Sequence, residues 1–117
     1  MSEHATKPRA ARPMSEALMA SLDQLLAVVC EMCSVSVDDV RSYRRHPSLI
    51  LARRVFVLAA KRHTVATLGE AAAARGSRSH TSALYMLRAA SRDQSVIDMA
   101  ERAAAKCGLV GDSKAQP

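Results

Sequence analysis

Between Thr67 and Arg92 the residue pattern leaves room for little other than two helices separated by a tight turn. Thr67, followed three residues later by Glu70, fits a capping box, in which each side chain satisfies an unpaired backbone N–H at a helix start. The first helix is predicted from about Leu68 to Arg75. Gly76-Ser77 breaks it, because glycine accepts the left-handed backbone that closes a helix, and Ser79 is positioned to cap a second helix from His80 to about Ser91. In that second helix Ala83, Leu84, Leu87 and Ala90 fall on or near one stripe, leaving His80, Thr81, Tyr85, Arg88 and Arg92 for solvent. A helix that starts on short polar and cationic residues, held on a compact helical support, suits the major groove of duplex DNA.

The rest of the chain also reads as helix. Residues 1–13 are rich in Ala, Pro and basic residues with nothing to bury, and are expected to form a disordered basic arm. Ser15 caps a helix predicted to run to about Cys33, in which Leu18, Leu22, Leu25, Val29 and Met32 recur at three- and four-residue intervals. Cys30 and Cys33 form a Cys-x-x-Cys pair that Cys107 and a histidine would complete as a zinc site. Such pairs usually sit on a knuckle rather than inside a regular helix, so the expectation is core packing and no metal. Ser36 caps a short helix ending near Ser42, with Asp38 and Asp39 in its first turn. A basic loop, Tyr43-Arg44-Arg45-His46, leads to Pro47, which suits the first turn of a strongly apolar helix to about His63. Arg53, Arg54, Lys61 and Arg62 are assigned to its polar positions. After Arg92, Ser95 with Asp98 predicts a last capped helix to about Lys106, stopped by Gly108. There is no internal repeat and no strand signal. The reading is all-α, a compact helical bundle with a helix-turn-helix: a domain over 14–107, the motif at about 67–92, and a flexible tail over 108–117.

Charge decides among function classes. Residues 41–92 carry eleven bases against the single acid Glu70, whereas residues 14–40 carry five acids and no base. A cationic block of that kind neutralises phosphates and releases counterions, the largest sequence-independent contribution to DNA affinity. No Ser, His and carboxylate set, no paired carboxylates and no phosphate loop can be assembled around it, so neither enzyme nor cofactor is expected. The only aromatics are Tyr43, Phe56 and Tyr85, too few for binding single strands by stacking. An odd number of cysteines without an apolar leader points to a reducing cytoplasm, and no apolar run approaches the roughly 20 residues needed to span a bilayer. A cytoplasmic, nucleoid-associated protein is the expectation.

Over roughly residues 22–92 the chain resembles the C-terminal DNA-binding domain (domain IV) of the bacterial replication initiator DnaA, a fold related to the Trp repressor. Arg78-Ser79-His80-Thr81-Ser82 looks like that family's Arg-Asp-His-Thr-Thr signature. Arg44-Arg45, with Ala52-Arg53 eight residues on, is similar to its basic loop and the start of its long helix, and Ser36-Val37-Asp38-Asp39-Val40 to the short helix before that loop. The resemblance implies that Arg45 reaches into a minor groove, that Arg53, Arg54 and Lys61 hold phosphates, and that Leu68 and Gly69 touch the DNA backbone. It implies further that Arg78, Ser79, His80, Thr81 and Ser82 face bases or adjacent phosphates.

The departures carry information. Ser79 stands where the family has Asp, so an obligate acceptor suited to cytosine N4 is replaced by a group that also donates. Ala71-Ala72 replaces Ile-Gly and Arg75 replaces Phe. No Walker A loop is present, and origin remodelling by this chain alone is not expected. The leading reading is a sequence-specific double-stranded DNA-binding protein that regulates transcription, an activator component bringing a second protein, such as transcription machinery or a co-activator, to a promoter. Stand-alone DnaA-like domains also resemble the DNA-binding component of activators of phage-like gene clusters, including gene transfer agents. The acidic first helix and the C-terminal helix are the surfaces assigned to a partner or to self-association. The alternatives are a replication factor or antagonist that occupies initiator boxes, and a protein-interaction module whose basic face meets an acidic protein.

Overall fold

A computed structural model describes residues 15–76 and 80–109. Six helices occur among them: α1 (Glu16–Cys33), α2 (Val37–Val40), α3 (Pro47–His63), α4 (Leu68–Ala74), α5 (His80–Ser91) and α6 (Gln94–Lys106). The expected arm and most of the expected tail lie outside the described residues.

Helix α3 is the centre of the fold because it is apolar around most of its circumference. Leu49, Ala52 and the run Val55, Phe56, Val57, Leu58, Ala59, Ala60 are all buried, and each of the other five helices packs on it. Burying a side chain such as Leu or Phe is worth about 1.5–3 kcal/mol relative to leaving it exposed. Pro47 opens α3 as expected, and His46 supplies the cap by accepting the Ser48 N–H on Nδ1 at 3.3 Å.

Helix α1 starts where Ser15 Oγ accepts the Leu18 amide at 3.1 Å, and it buries Leu18, Leu22, Leu25, Leu26, Val29 and Cys30. Ser34 closes it in the left-handed region at φ 59°, with the Val35 amide donating to Cys30 O at 2.9 Å. This is the double-bonded helix ending usually given to glycine. Ser36 Oγ accepts the Asp39 amide at 3.0 Å, but α2 ends at Val40, before the predicted Ser42, because Arg41 already forms the cap. Cys30 is buried and Cys33 and Cys107 are half-buried, all three as free thiols. Burial pushes each of them up, with Cys33 adding to the effect on Cys30, which disfavours the thiolate that a metal ligand or nucleophile requires.

Two boundaries differ from expectation at the C-terminal end. Helix α6 is capped by Asp93 rather than Ser95: the carboxylate accepts the Ser95 amide at 3.0 Å and the Ser95 hydroxyl at 2.8 Å. An ionised carboxylate at the positive end of the helix dipole outcompetes a hydroxyl for that role. Leu109, assigned to a fraying tail, is instead held by the fold. Its amide donates to Ala104 O at 2.8 Å across Gly108 at φ +76°, and its side chain packs against the core. No helix among the described residues is long and apolar enough to cross a membrane.

Candidate nucleic-acid interface

The predicted capping box forms. Thr67 Oγ1 accepts the Glu70 amide at 3.1 Å, and Glu70 Oε1 accepts the Thr67 amide at 2.8 Å. Helix α4 then buries Leu68, Ala71 and Ala72. Gly76 turns the chain at φ +90°, and a Cβ there would lie 2.8 Å from Arg41 O, so both its conformation and the close approach of the Arg41 backbone require glycine. Arg41 is held on the same junction by its Nε, which donates to Ala74 O at 2.9 Å. The start of the basic loop is thus stitched to the end of the first motif helix, and the loop and α5 are presented together.

Helix α5 begins at His80 as the sequence predicts. Ala83 and Ala90 are buried, with Leu84, Met86 and Leu87 packed against the core. Thr81, Tyr85 and Arg88 are exposed and Ser82 is half-buried. Arg78, Ser79 and the His80 side chain lie outside the described residues.

Among the loop arginines, the structure separates tied from presented charges. Arg41 pairs with Asp23 at 3.5 Å and Arg44 with Asp39 at 3.3 Å. Arg45, the residue expected to enter a minor groove, is exposed and has no carboxylate within ion-pair distance among the described residues. Beside it Tyr43 is 98% exposed. On α3, Arg54 and Lys61 are two turns apart and so share one face, roughly 10 Å from each other along the axis. Lys61 is exposed and Arg54 half-buried. Arg62, at the helix end, pairs instead with Glu101 on α6 at 3.9 Å.

Arg53 does not occupy a polar position. It is 5% exposed. Its Nε donates to Val40 O at 3.0 Å, and its Nη2 to Asp39 O at 3.2 Å and Ser42 O at 3.0 Å. The Val40 and Ser42 carbonyls are left over where α2 ends, while Asp39 O also accepts the Ser42 amide and hydroxyl. The planar guanidinium collects all three carbonyls and fixes the loop. Burial, and then the charge of Arg45, hold the Arg53 pKa below its usual value. Arg53 is therefore a clamp under the basic loop, and its phosphate-holding assignment is corrected on that ground.

Leu68 is 8% exposed and contributes its side chain to the core, so only its main chain remains for a backbone contact. Gly69 is exposed, and the nearest atom to an added Cβ would be Thr67 Oγ1 at 3.9 Å. Nothing in the fold requires glycine at that point.

Between the basic loop and α5 the surface sinks into a hollow of about 520 Å³ lined by Arg45, Arg53, Arg54, Arg75, Ser82 and Met86, among others, with no carboxylate in its lining. It adjoins a shallower one of about 420 Å³ along Arg54, Thr81, Ser82, Tyr85 and Met86. The structure therefore gathers Arg45, Arg54, Thr81 and Ser82 on one concave surface, with Lys61, Leu68 and Gly69 outside the hollows. Sequence reasoning missed Arg75, which is only 6% exposed. The signal available was an arginine at a position where a helix of that pattern expects an apolar side chain. Tyr43 was also missed as a surface feature; its signal was an aromatic amid arginines with no apolar neighbour.

The family model of the bacterial dnaA protein helix-turn-helix matches residues 22–89. No solved structure gives a significant match. The match covers the basic loop, α3, α4 and nearly all of α5, more than half of the 117 residues, and on that ground the chain belongs to the bacterial dnaA helix-turn-helix family.

Proposed function

We propose that this chain binds double-stranded DNA sequence-specifically, with α5 in the major groove and Arg45 in the adjacent minor groove, and regulates transcription by bringing a second protein to a promoter. The observation that carries the reading is the sorting of cations. Arg41, Arg44, Arg53 and Arg62 are consumed by internal partners. Arg45, Lys61 and Arg88 are exposed, and Arg54 lines both hollows beside Thr81 and Ser82 on α5. Arg92, Arg102 and Lys106 are exposed as well, so what favours the reading is the convergence of Arg45 and Arg54 on the hollows beside α5, not exposure alone. Base edges are read in the major groove by short side chains at the start of such a helix, while the surrounding cations position the protein on phosphates.

Helix α1 carries Glu16, Asp23 and Glu31 and no base, and it is the surface of opposite sign assigned to a protein partner. Ser79 in place of the family's aspartate favours a target different from the initiator's box, and so a regulator over an antagonist of initiation. The experiment is selection of bound sites from random duplexes by the purified chain. One enriched motif is expected, with Arg78→Ala and His80→Ala each costing about 1–3 kcal/mol of specific binding. An unselective pool removes the reading, and strong footprints on initiator boxes convert it to the replication alternative.

A further inference from the structure

The two arginines buried among the described residues, Arg53 and Arg75, are treated differently by the fold. Arg53 donates to three carbonyls. Arg75, 6% exposed, has a buried Nε with no hydrogen-bond partner, and among the described residues no carboxylate pairs with its guanidinium. Arg54, on the same hollow, also has a buried Nε without a partner. A structural arginine is normally saturated, because an unpaired buried cation is costly. Burial first, and then the charge of Arg53, lower the Arg75 pKa, the direction expected of a cation held without an anion. Two guanidinium groups, each with a sealed and unpartnered Nε, line a hollow that has no carboxylate among its described residues, and they describe half of a charge-assisted contact.

We infer that this hollow seats one phosphate group of the duplex backbone, with Arg75 as its principal ligand and Arg54 as its second. The inference rests on the DNA-binding reading and adds to it a contact at a position assigned no role in binding. The position of the hollow identifies the source of the phosphate. It lies between Arg45 and the Ser82–Met86 face of α5, the two elements that enter neighbouring grooves in that reading. What separates a major from a minor groove is a sugar-phosphate strand. A protein that reaches into both must accommodate that strand between its two probes, and the arginine-lined hollow lies there. The missing partner then arrives with the DNA, and the cost of the unpaired cation is relieved only in the complex.

The test uses a duplex selected as above, synthesised with a neutral methylphosphonate at one position at a time. For the unmodified protein, one position between the two groove contacts should weaken binding roughly tenfold or more, in line with a hydrogen bond to a charged group. With Arg75→Met the same modification should have no further effect, and on the unmodified duplex the slope of log affinity against log salt should fall by about 0.9. Arg75→Met should also melt no lower than the natural chain, since it removes an unpaired buried charge. Should that variant fold poorly, Arg54→Gln supplies the same comparison from the less buried side. If the natural chain selects a duplex but no position couples to either arginine, the inference falls and the DNA reading stands. If no duplex is selected, the DNA reading itself fails. Inorganic phosphate at matched ionic strength gives the remaining arm: Arg75-dependent stabilisation without any coupled duplex position assigns the hollow to a free anion and overturns the backbone assignment.

Discussion

Replacing Arg53 with methionine should unfold the basic loop from below rather than weaken a contact to DNA. The side chain makes three hydrogen bonds of 3.0, 3.2 and 3.0 Å to the carbonyls of Val40, Asp39 and Ser42. Hydrogen bonds to a charged group contribute about 1.5–3 kcal/mol each, and the desolvation of the buried guanidinium, several kcal/mol, offsets much of that sum. Methionine conserves most of the stem volume, so little cavity is added, but the Val40 and Ser42 carbonyls lose their donor, whereas Asp39 O keeps the Ser42 amide and hydroxyl. The net loss expected is about 2–4 kcal/mol. For a domain of this size each kcal/mol moves Tm by about 4–8 °C, so a fall on the order of 8–32 °C should appear in a thermal melt followed by circular dichroism. Arg53→Lys keeps the charge but not the planar fork, and should recover less than half of the loss. A phosphate ligand behaves in the opposite way: Arg53→Met would leave Tm nearly unchanged, reduce the salt slope of duplex binding by about 0.9, and be rescued by lysine. That pattern would refute the clamp.

Three further outcomes follow from local geometry. Gly76→Ala must hold φ +90° with its Cβ 2.8 Å from Arg41 O, and should lower the urea-derived stability by about 2 kcal/mol or more. Thr67→Ala removes one side of the capping box and should cost about 1 kcal/mol in the same assay, with faster amide exchange in α4. Asp93 is held below the usual aspartate range first by the Ser95 hydroxyl, then by the Ser95 and Val96 amides and the charge of Arg54. Because its folded pKa is depressed, its contribution is present above the ordinary aspartate pKa and is lost as the pH falls through the folded value. Asp93→Asn should therefore flatten the acid limb of the pH–stability curve and change little of its shape at neutral pH.

Much of the fold can be read from local chemistry. Pro47 and the basic residues Lys61, Arg62 and His63 bracket α3 at both ends, Ser15 marks the start of α1, and Thr67 with Glu70 marks that of α4; each of these signals acts within a few residues of itself. What local reading misses depends on distant partners. Arg53 and Arg54 are adjacent and therefore about 100° apart on the helix, so only one can share the face of Lys61. Which one turns inward is decided by the carbonyls at the end of α2, thirteen and fourteen residues away for Val40 and Asp39. Arg75, read only as a replacement for the family's Phe, is buried because the turn at Gly76 folds that helix end against Arg41. The cap of α6 was misjudged by two residues because Asp93 and Ser95 both suit the role, and the end of α5 at Ser91 determines which is reached first. Within the candidate site, Arg45 was singled out from the basic loop and Thr81 and Ser82 from the signature; the hollow beside them was not legible, since it is built by the basic loop, α3, the turn after α4 and α5.

Dimethyl sulfate interference on the selected duplex tests the two-groove claim most directly, because the reagent marks guanine N7 in the major groove and adenine N3 in the minor groove. The account predicts interference at major-groove guanines and, a few base pairs away on one side only, at minor-groove adenines, with Arg45→Ala abolishing the second signal and leaving the first. Interference confined to one groove, or a minor-groove signal indifferent to Arg45, would contradict it.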